Sequence, residues 1–288
     1  MRADRPGQEA SAARAPAGPL HFLAYRARIG GAGLHPRGAA ATVALLAALD
    51  LRDGQRVLEV GCGTAETLVR VATHAQLTLD GVEVLPAMLR VARQRLRLTG
   101  LARQIRLYAT RPGAPLPGAD NVYDRVYTES VLGFQDAATA AGLLREIGRV
   151  LRPGGLYVAN EAIWKPPVTH QIATAINTRC RADFGLPLAA EQPWRVDDWT
   201  AQIQAAGLQV LHADLLDSAP RPPLAGPAGR SWRLVVSRLL TGYYQSKPYW
   251  IPGLRRQRRH YRRLLRAHAG DGLYLEARLF VVQKPAAR

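Results

Sequence analysis

Cysteine is almost absent from this 288-residue chain, which has only Cys62 and Cys180. Two cysteines so far apart exclude a disulfide framework and a cysteine-rich metal site, and fit a reducing compartment such as the cytoplasm. Long apolar runs are missing too: no stretch reaches the ~18 uninterrupted apolar residues of a membrane-spanning helix. Hydrophobic residues still make up 48% of the chain, enough for a sizeable core and too many for a disordered polymer. Lysine is scarce, three residues against 36 arginines, a bias that genome composition can produce without a selected function. Acidic residues are outnumbered, and the formal charge is +17. That imbalance is local. Positions 218–270 hold twelve Arg or Lys and no Asp or Glu, leaving +5 for the rest of the chain. The stretch Met1–Pro19, rich in Ala, Pro, Gly and Arg, has no apolar segment of the secretory-signal kind and is expected to be a flexible tail.

From Val57 to Gln283 short apolar runs alternate with amphipathic segments, the pattern of an α/β sheet. Strands are expected at Arg56–Gly61, Leu77–Glu83, Ile105–Ala109, Arg125–Thr128, Leu156–Ala159, Leu208–Leu211 and Leu273–Val282. Helices are expected at Thr64–His74, from Pro86 to Gly100, at Ala137–Leu151 and at Val196–Ala206. Pro153, Gly154 and Gly155 should stop the third of these before its strand begins. Further on, Trp232, Val235, Val236, Leu239, Leu240 and Tyr243 share one helical face and read as a packing stripe. The helix Leu254–His268 after it is dominated by arginine. Two excursions, Ile163–Arg195 and the stretch opened by Ala219–Pro227, are candidates for a lid over the carboxyl ends of the strands, where such sheets bind ligands.

The most informative segment is Val57-Leu58-Glu59-Val60-Gly61-Cys62-Gly63-Thr64-Ala65, a buried strand running into two glycines and then a helix. Glycines there let the backbone approach a ligand closely. A dinucleotide site has Gly-x-Gly-x-x-Gly, but Glu66 occupies the third position and would oppose a pyrophosphate. Glu59 instead suits a cofactor with a cationic end, such as an amino-acid ammonium. Glu83, at the end of the second strand, can accept hydrogen bonds from ribose hydroxyls.

These residues resemble motif I of the class I S-adenosylmethionine-dependent methyltransferases. Gly81–Leu89 is similar to the family's second motif, and Arg149-Val150-Leu151-Arg152-Pro153-Gly154-Gly155 resembles the signature before its fifth strand. Trp199–Gly207 is similar to the helix before its sixth. The resemblance runs from about Leu34 to Leu211 and implies a Rossmann-like, doubly wound sheet of seven mostly parallel strands with helical lid insertions. It implies S-adenosyl-L-methionine as cofactor, with Gly61, Cys62 and Gly63 under the methionine moiety and Glu59 orienting it. Glu83 would hold the ribose, with Val84 and Leu85 against the adenine. Tyr25, and the segment Leu34–Gly38 with His35, are similar to an N-terminal lid. Two departures stand out: Ala65 replaces a third glycine, and Thr110 stands where the family has an acid on the adenine amine. Thr128 is carried over as a further cofactor contact.

The resemblance places Thr128–Phe134 at the transfer region. Glu129 is the leading polar candidate there, either a general base for a hydroxyl or acidic carbon or an amine anchor; alternatively it binds the cofactor or caps the next helix. The Asn/Asp-Pro-Pro-Tyr/Phe motif of enzymes that methylate nucleobase amines is absent. Glu161, Trp164, Tyr243 and His35 are candidates for contact with the acceptor. No metal-ligand spacing is legible, so metal-assisted transfer is not expected. The aromatic and arginine residues of 218–270 can line a pocket for a hydrophobic substrate, or dock nucleic acid, an acidic partner or an anionic surface.

The reading is therefore a small-molecule methyltransferase, O- or C-directed before N-directed. The alternatives are an RNA methyltransferase docking through 255–266, and a non-catalytic module of the same fold. Its parts are a tail (1–19), a helical lid (20–50), a core (51–217) with an insertion (163–195), a basic helical insertion (218–270) and a final strand with its tail (271–288).

Overall fold

The apolar runs become seven strands of one sheet in a computed structural model, which describes residues 20–31, 37–216 and 231–286. The expected tail, His35 and the Pro-rich stretch 219–227 lie outside the described residues. Two short helices, α1 (His21–Arg28) and α2 (Ala39–Ala48), precede the first strand. Then strand and helix alternate: β1 (Arg56–Val60), α3 (Glu66–Val71), β2 (Thr78–Glu83), α4 (Pro86–Leu98), β3 (Ile105–Ala109) and β4 (Tyr123–Glu129). After a 3-10 turn at Leu132–Phe134 come α5 (Ala137–Val150), β5 (Leu151–Trp164), α6 (His170–Phe184), α7 (Val196–Ala205) and β6 (Gln209–Leu215). The chain ends with α8 (Trp232–Trp250), α9 (Pro252–Ala267) and β7 (Leu275–Gln283).

The spatial order is β3-β2-β1-β4-β5-β7-β6. β1 to β5 run parallel, and β7 lies antiparallel between β5 and β6. Strand order reverses between β1 and β4, which opens a crevice at their carboxyl ends. Because strand side chains alternate, each face of the sheet has its own core. Val57, Leu79 and Tyr127 pack with α2, α3 and α4 on one face, and Leu58, Val126 and Tyr157 with α5 and α7 on the other. The excursion after β5 folds as α6 and packs with α1 and α9 in a third cluster around Tyr25, Trp164, Phe184 and Tyr261.

Two expectations are corrected. β5 begins at Leu151 and not at Leu156. Its pairing shifts from Tyr123–Leu151 to Arg125–Leu156, so Arg152 to Gly155 bulge within the strand instead of separating it from α5. The second correction concerns α8. Of its expected stripe, Trp232, Val235, Leu239 and Tyr243 face outward, Val236 is half-buried, and Leu240 is buried together with Leu234, Ser237, Tyr244 and Pro248.

A buried arginine accounts for that rotation. The guanidinium of Arg95, on α4, donates to the Ser237 carbonyl at 2.9 Å, the Ser237 hydroxyl at 2.6 Å and the Thr241 hydroxyl at 3.0 Å. It also donates to the Thr64 carbonyl at 2.8 Å. A fully buried guanidinium stays charged and must have its donors met, so α8 turns Ser237 and Thr241 inward. Arg95→Leu is expected to cost about 3 kcal/mol in a denaturant titration. Amide exchange along α8 should accelerate in the same variant.

Candidate active site

The turn after β1 is built from left-handed backbone: φ is +77° at Gly61, +52° at Gly63 and +60° at Ala65. The Gly61 and Cys62 amides both donate to the Val82 carbonyl at 2.9 Å, which fastens the turn to β2. A Cβ on Gly61 would come within 2.6 Å of Val131 Cγ2, so that position cannot carry a side chain without displacement. At Gly63 a Cβ would meet nothing within 4 Å, because this glycine borders open space. Ala65 is held in the left-handed region despite its Cβ, at a cost of about 1 kcal/mol.

Three carboxylates surround this turn. The two oxygens of Glu83 accept from the Gly63 amide at 2.9 Å and the Leu85 amide at 2.8 Å. Burial pushes its pKa above the ordinary carboxylate range, and these amide bonds oppose the shift. Glu59 is buried below and accepts from the Tyr127 hydroxyl at 2.9 Å. Burial first, then the charge of Glu129, holds its pKa well above the usual value. Glu129 ends β4, where one oxygen accepts from Thr67 at 2.7 Å and the other from Thr42 at 3.0 Å. The pair of threonines aligns the carboxylate between α2 and α3.

A cavity of about 910 Å³ joins these groups. The sequence candidates Glu59, Gly61, Cys62, Gly63, Glu83, Val84, Thr110 and Glu129 all border it. Thr110 also donates its amide to the Glu83 carbonyl at 3.1 Å, so the residue after β3 is tied to the end of β2. The Cys62 thiol is pushed well above its ordinary pKa by burial and by Glu59 and Glu83, which disfavours the thiolate. Thr42, Thr67, Thr241 and Gln245 border the cavity without having been singled out in the sequence, and so do Glu66, read there as a bar to pyrophosphate, and Ser130, part of the expected transfer segment. Among the described residues Ser130 Oγ and Glu66 Oε2 are buried there without a hydrogen-bond partner, which leaves polar capacity for a ligand. Ser130 was legible only as a member of the Thr128–Phe134 segment.

Other candidates point elsewhere. Thr128 precedes Glu129 on the strand and therefore faces the opposite side of the sheet, where its hydroxyl meets Tyr157 at 2.9 Å. Glu161 accepts from the amides of Val131, Leu132 and Gly133 at 3.0, 3.1 and 3.2 Å, holding the loop after β4 from behind. Trp164 is buried with its indole donating to the Ala190 carbonyl at 2.8 Å. Tyr25 stacks on Tyr261, centroids 4.6 Å apart, in the cluster under α1. Tyr243 stands on the outer face of α8 under the Lys247 ammonium. None of these five borders the cavity.

Ligand-type side chains also gather where the sequence showed no spacing for them. Cys180, His268 and Asp271 place donor atoms within 4.8 Å of one another, away from the cavity. His268 pairs with Asp271 at 2.7 Å and Asp183 at 2.8 Å. Burial disfavours its charge, but the two carboxylates outweigh that and raise its pKa, and both ring nitrogens already have carboxylate partners within the cluster.

Residues 57–155 match a family model described as a methyltransferase domain. The chain is 29% identical over 181 residues to the methyltransferase GfsG of Streptomyces halstedii, covering 62% of this chain and 61% of that protein. It is 33% identical over 147 residues to the uncharacterized methyltransferase YodH of Bacillus subtilis, covering 51% and 60%. The chain thus spans about 60% of the length of these curated relatives. Among solved structures, the [4+2]-cyclase SpnF superimposes with a TM-score of 0.65 at 18% identity, covering 93% of this chain and 94% of that one.

Removing Glu161 would orphan three backbone amides at once. Glu161→Ala is expected to lower unfolding stability by about 3 kcal/mol, read from a denaturant titration. Unchanged stability would return Glu161 to the list of ligand-contacting groups.

Proposed function

We propose that this chain, whose residues 57–155 match a methyltransferase domain, is a class I S-adenosylmethionine-dependent enzyme that methylates a small-molecule acceptor in the cavity beside Glu129. Oxygen or carbon is favoured over nitrogen as the acceptor atom. One observation carries the reading: the Glu83 carboxylate, fixed by the Gly63 and Leu85 amides, borders a cavity at the point where strand order reverses.

The residues present suit S-adenosyl-L-methionine. Gly63 offers space at the turn, Glu59 and Glu83 supply the negative charge that a sulfonium and an ammonium favour, and the Ser130 hydroxyl has no partner among the described residues. In this reading Gly61, Cys62 and Gly63 admit the methionine portion, and Glu83 accepts from the ribose hydroxyls with its remaining lone pairs. Val84, Leu85 and Thr110 border the adenine. The bound cofactor supplies a methyl group already activated by its sulfonium, so the protein's task is chiefly alignment. A dinucleotide suits the turn less well, since Glu66 would set its charge against a pyrophosphate.

Glu129 is positioned to take a proton. Thr42 and Thr67 hold both its oxygens, so the carboxylate reaches the cavity in one orientation. A hydroxyl or carbon acid placed there would lose its proton as the methyl group arrives. The apolar part of the wall, with Leu20, Leu23, Val131, Phe134 and Leu143, supports an acceptor with a hydrocarbon body.

Calorimetric titration with S-adenosylhomocysteine, with NAD as control, tests the cofactor. Binding of the first alone is expected, and Glu83→Gln should weaken it about tenfold with circular dichroism unchanged. Preference for NAD would overturn the reading. Once an acceptor is found by screening hydroxylated and carbon-acid small molecules, Glu129→Gln should lower kcat about a hundredfold while changing cofactor affinity little. The reverse pattern would make Glu129 a cofactor ligand.

A further inference from the structure

The helix that closes one side of the cavity has a second, apolar face. Trp232, Val235, Leu239, Tyr243 and Trp250 recur at helical spacing along α8 and are exposed, Leu239 at 69% and Trp232 at 56%. A solvent-facing row of two tryptophans, a tyrosine and two aliphatic residues is far from the scattered apolar residues of an ordinary surface. Its orientation is fixed, because the inner face is committed to Arg95 through Ser237 and Thr241.

Cations lie against this row: Arg233 over the Trp232 ring at 5.8 Å and Lys247 over the Tyr243 ring at 4.9 Å. Residues 231–270 contain ten Arg or Lys and no Asp or Glu. Six arginines of α9, at 255, 256, 259, 262, 263 and 266, are exposed, while Leu254 and Tyr261 face the protein. Ile251 alone separates the two helices, and the junction is sewn together. Arg258 donates to the Tyr249 hydroxyl at 2.9 Å and lies over its ring at 4.4 Å. Arg255 donates to the Tyr249 carbonyl, and Tyr243 and Trp250 approach to 6.3 Å.

We infer that the α8–α9 surface docks on an anionic lipid bilayer, with the α8 row entering the headgroup–acyl boundary and the α9 arginines pairing with lipid phosphates. Tryptophan and tyrosine favour that boundary, aliphatic side chains gain from the acyl layer beneath it, and each nearby cation adds attraction to the anionic surface. The aliphatic residues choose between the polyanions available. Val235 and Leu239 have no flat face on which a base could stack, so they would contribute nothing to an RNA complex. No helix among the described residues is long and apolar enough to cross a membrane, so the contact is peripheral. The inference is independent of the proposed reaction, and its test reads binding instead of turnover.

The full chain is sedimented with sucrose-loaded vesicles of phosphatidylcholine, with and without 30 mol% phosphatidylglycerol (about a third anionic, enough for a strong surface potential). Salt titration, a structured RNA and light scattering serve as further arms. The expected result is sedimentation with anionic vesicles only, weakened by salt, with a blue shift of tryptophan emission. Replacing Arg255, Arg256, Arg259 and Arg262 by Gln should weaken binding by roughly a hundredfold or more. Leu239→Ser, a change at an exposed position that leaves the charge intact, should weaken it by roughly tenfold. Failure to bind anionic vesicles, binding that the arginines alone control, preference for RNA, or a dimer lost on Leu239→Ser would each overturn the inference.

Discussion

One buried guanidinium ties together the two walls of the cavity. Arg95 reaches from α4 to the Thr64 carbonyl in the glycine turn and to Ser237 and Thr241 on α8, meeting only neutral acceptors. Burial lowers its pKa, yet guanidinium does not give up its proton in a protein, so every one of these bonds is needed. The turn after β1 and the helix that closes over it, far apart in sequence, therefore hold one geometry. Thr241 and Gln245 border the cavity because that bond set points their side of α8 inward.

The second constraint is strand alternation. β4 sends Tyr127 and Glu129 to the face carrying α2 and α3, and Thr128 to the face carrying α5. Glu59 emerges from β1 on the same face as Glu129, and Glu83 ends β2 beside them. Three carboxylates thus gather at one end of the sheet at a cost: burial raises the pKa of Glu59 and of Glu83, and at Glu59 the charges of Glu129 and Glu83 add to it. A cationic ligand would relieve that cost; a polyphosphate would add to it. This is a firmer guide to chemistry than the fold, since the same architecture also serves a protein described as a cyclase.

Glu161 shows how residue type and place in sequence mislead. It stands just past the expected fifth strand, where a catalytic acid is plausible, and it is buried near the transfer loop. Its oxygens, however, are spent on the amides of Val131, Leu132 and Gly133. It therefore supports the loop that carries Ser130 and Val131 to the cavity, one layer behind the chemistry. The α8 stripe misled in the opposite sense. Helical periodicity showed that an apolar face existed without showing which way it turned, because packing of the polar Ser237 and Thr241 had the stronger claim.

Much of the architecture was legible in the residues. The period of two in the strands, Pro86 opening α4, and the Gly61–Gly63 turn are local signals whose physics does not depend on distant partners. Glu59 and Glu83 followed from their places beside the glycine turn, Val84, Thr110 and Glu129 from the family resemblance, and all border the cavity. Hidden from the sequence were the contacts between segments far apart in the chain. Arg95 with Ser237, Tyr25 with Tyr261, Cys180 beside His268 and the outward roll of α8 depend on how helices pack over the sheet. The sequence by itself determined the strands, the turn and the acidic groups, since backbone geometry and side-chain period act over a few residues. Tertiary structure alone decided which polar side chains face the cavity and which brace it, because burying a charge forces distant groups to supply its partners.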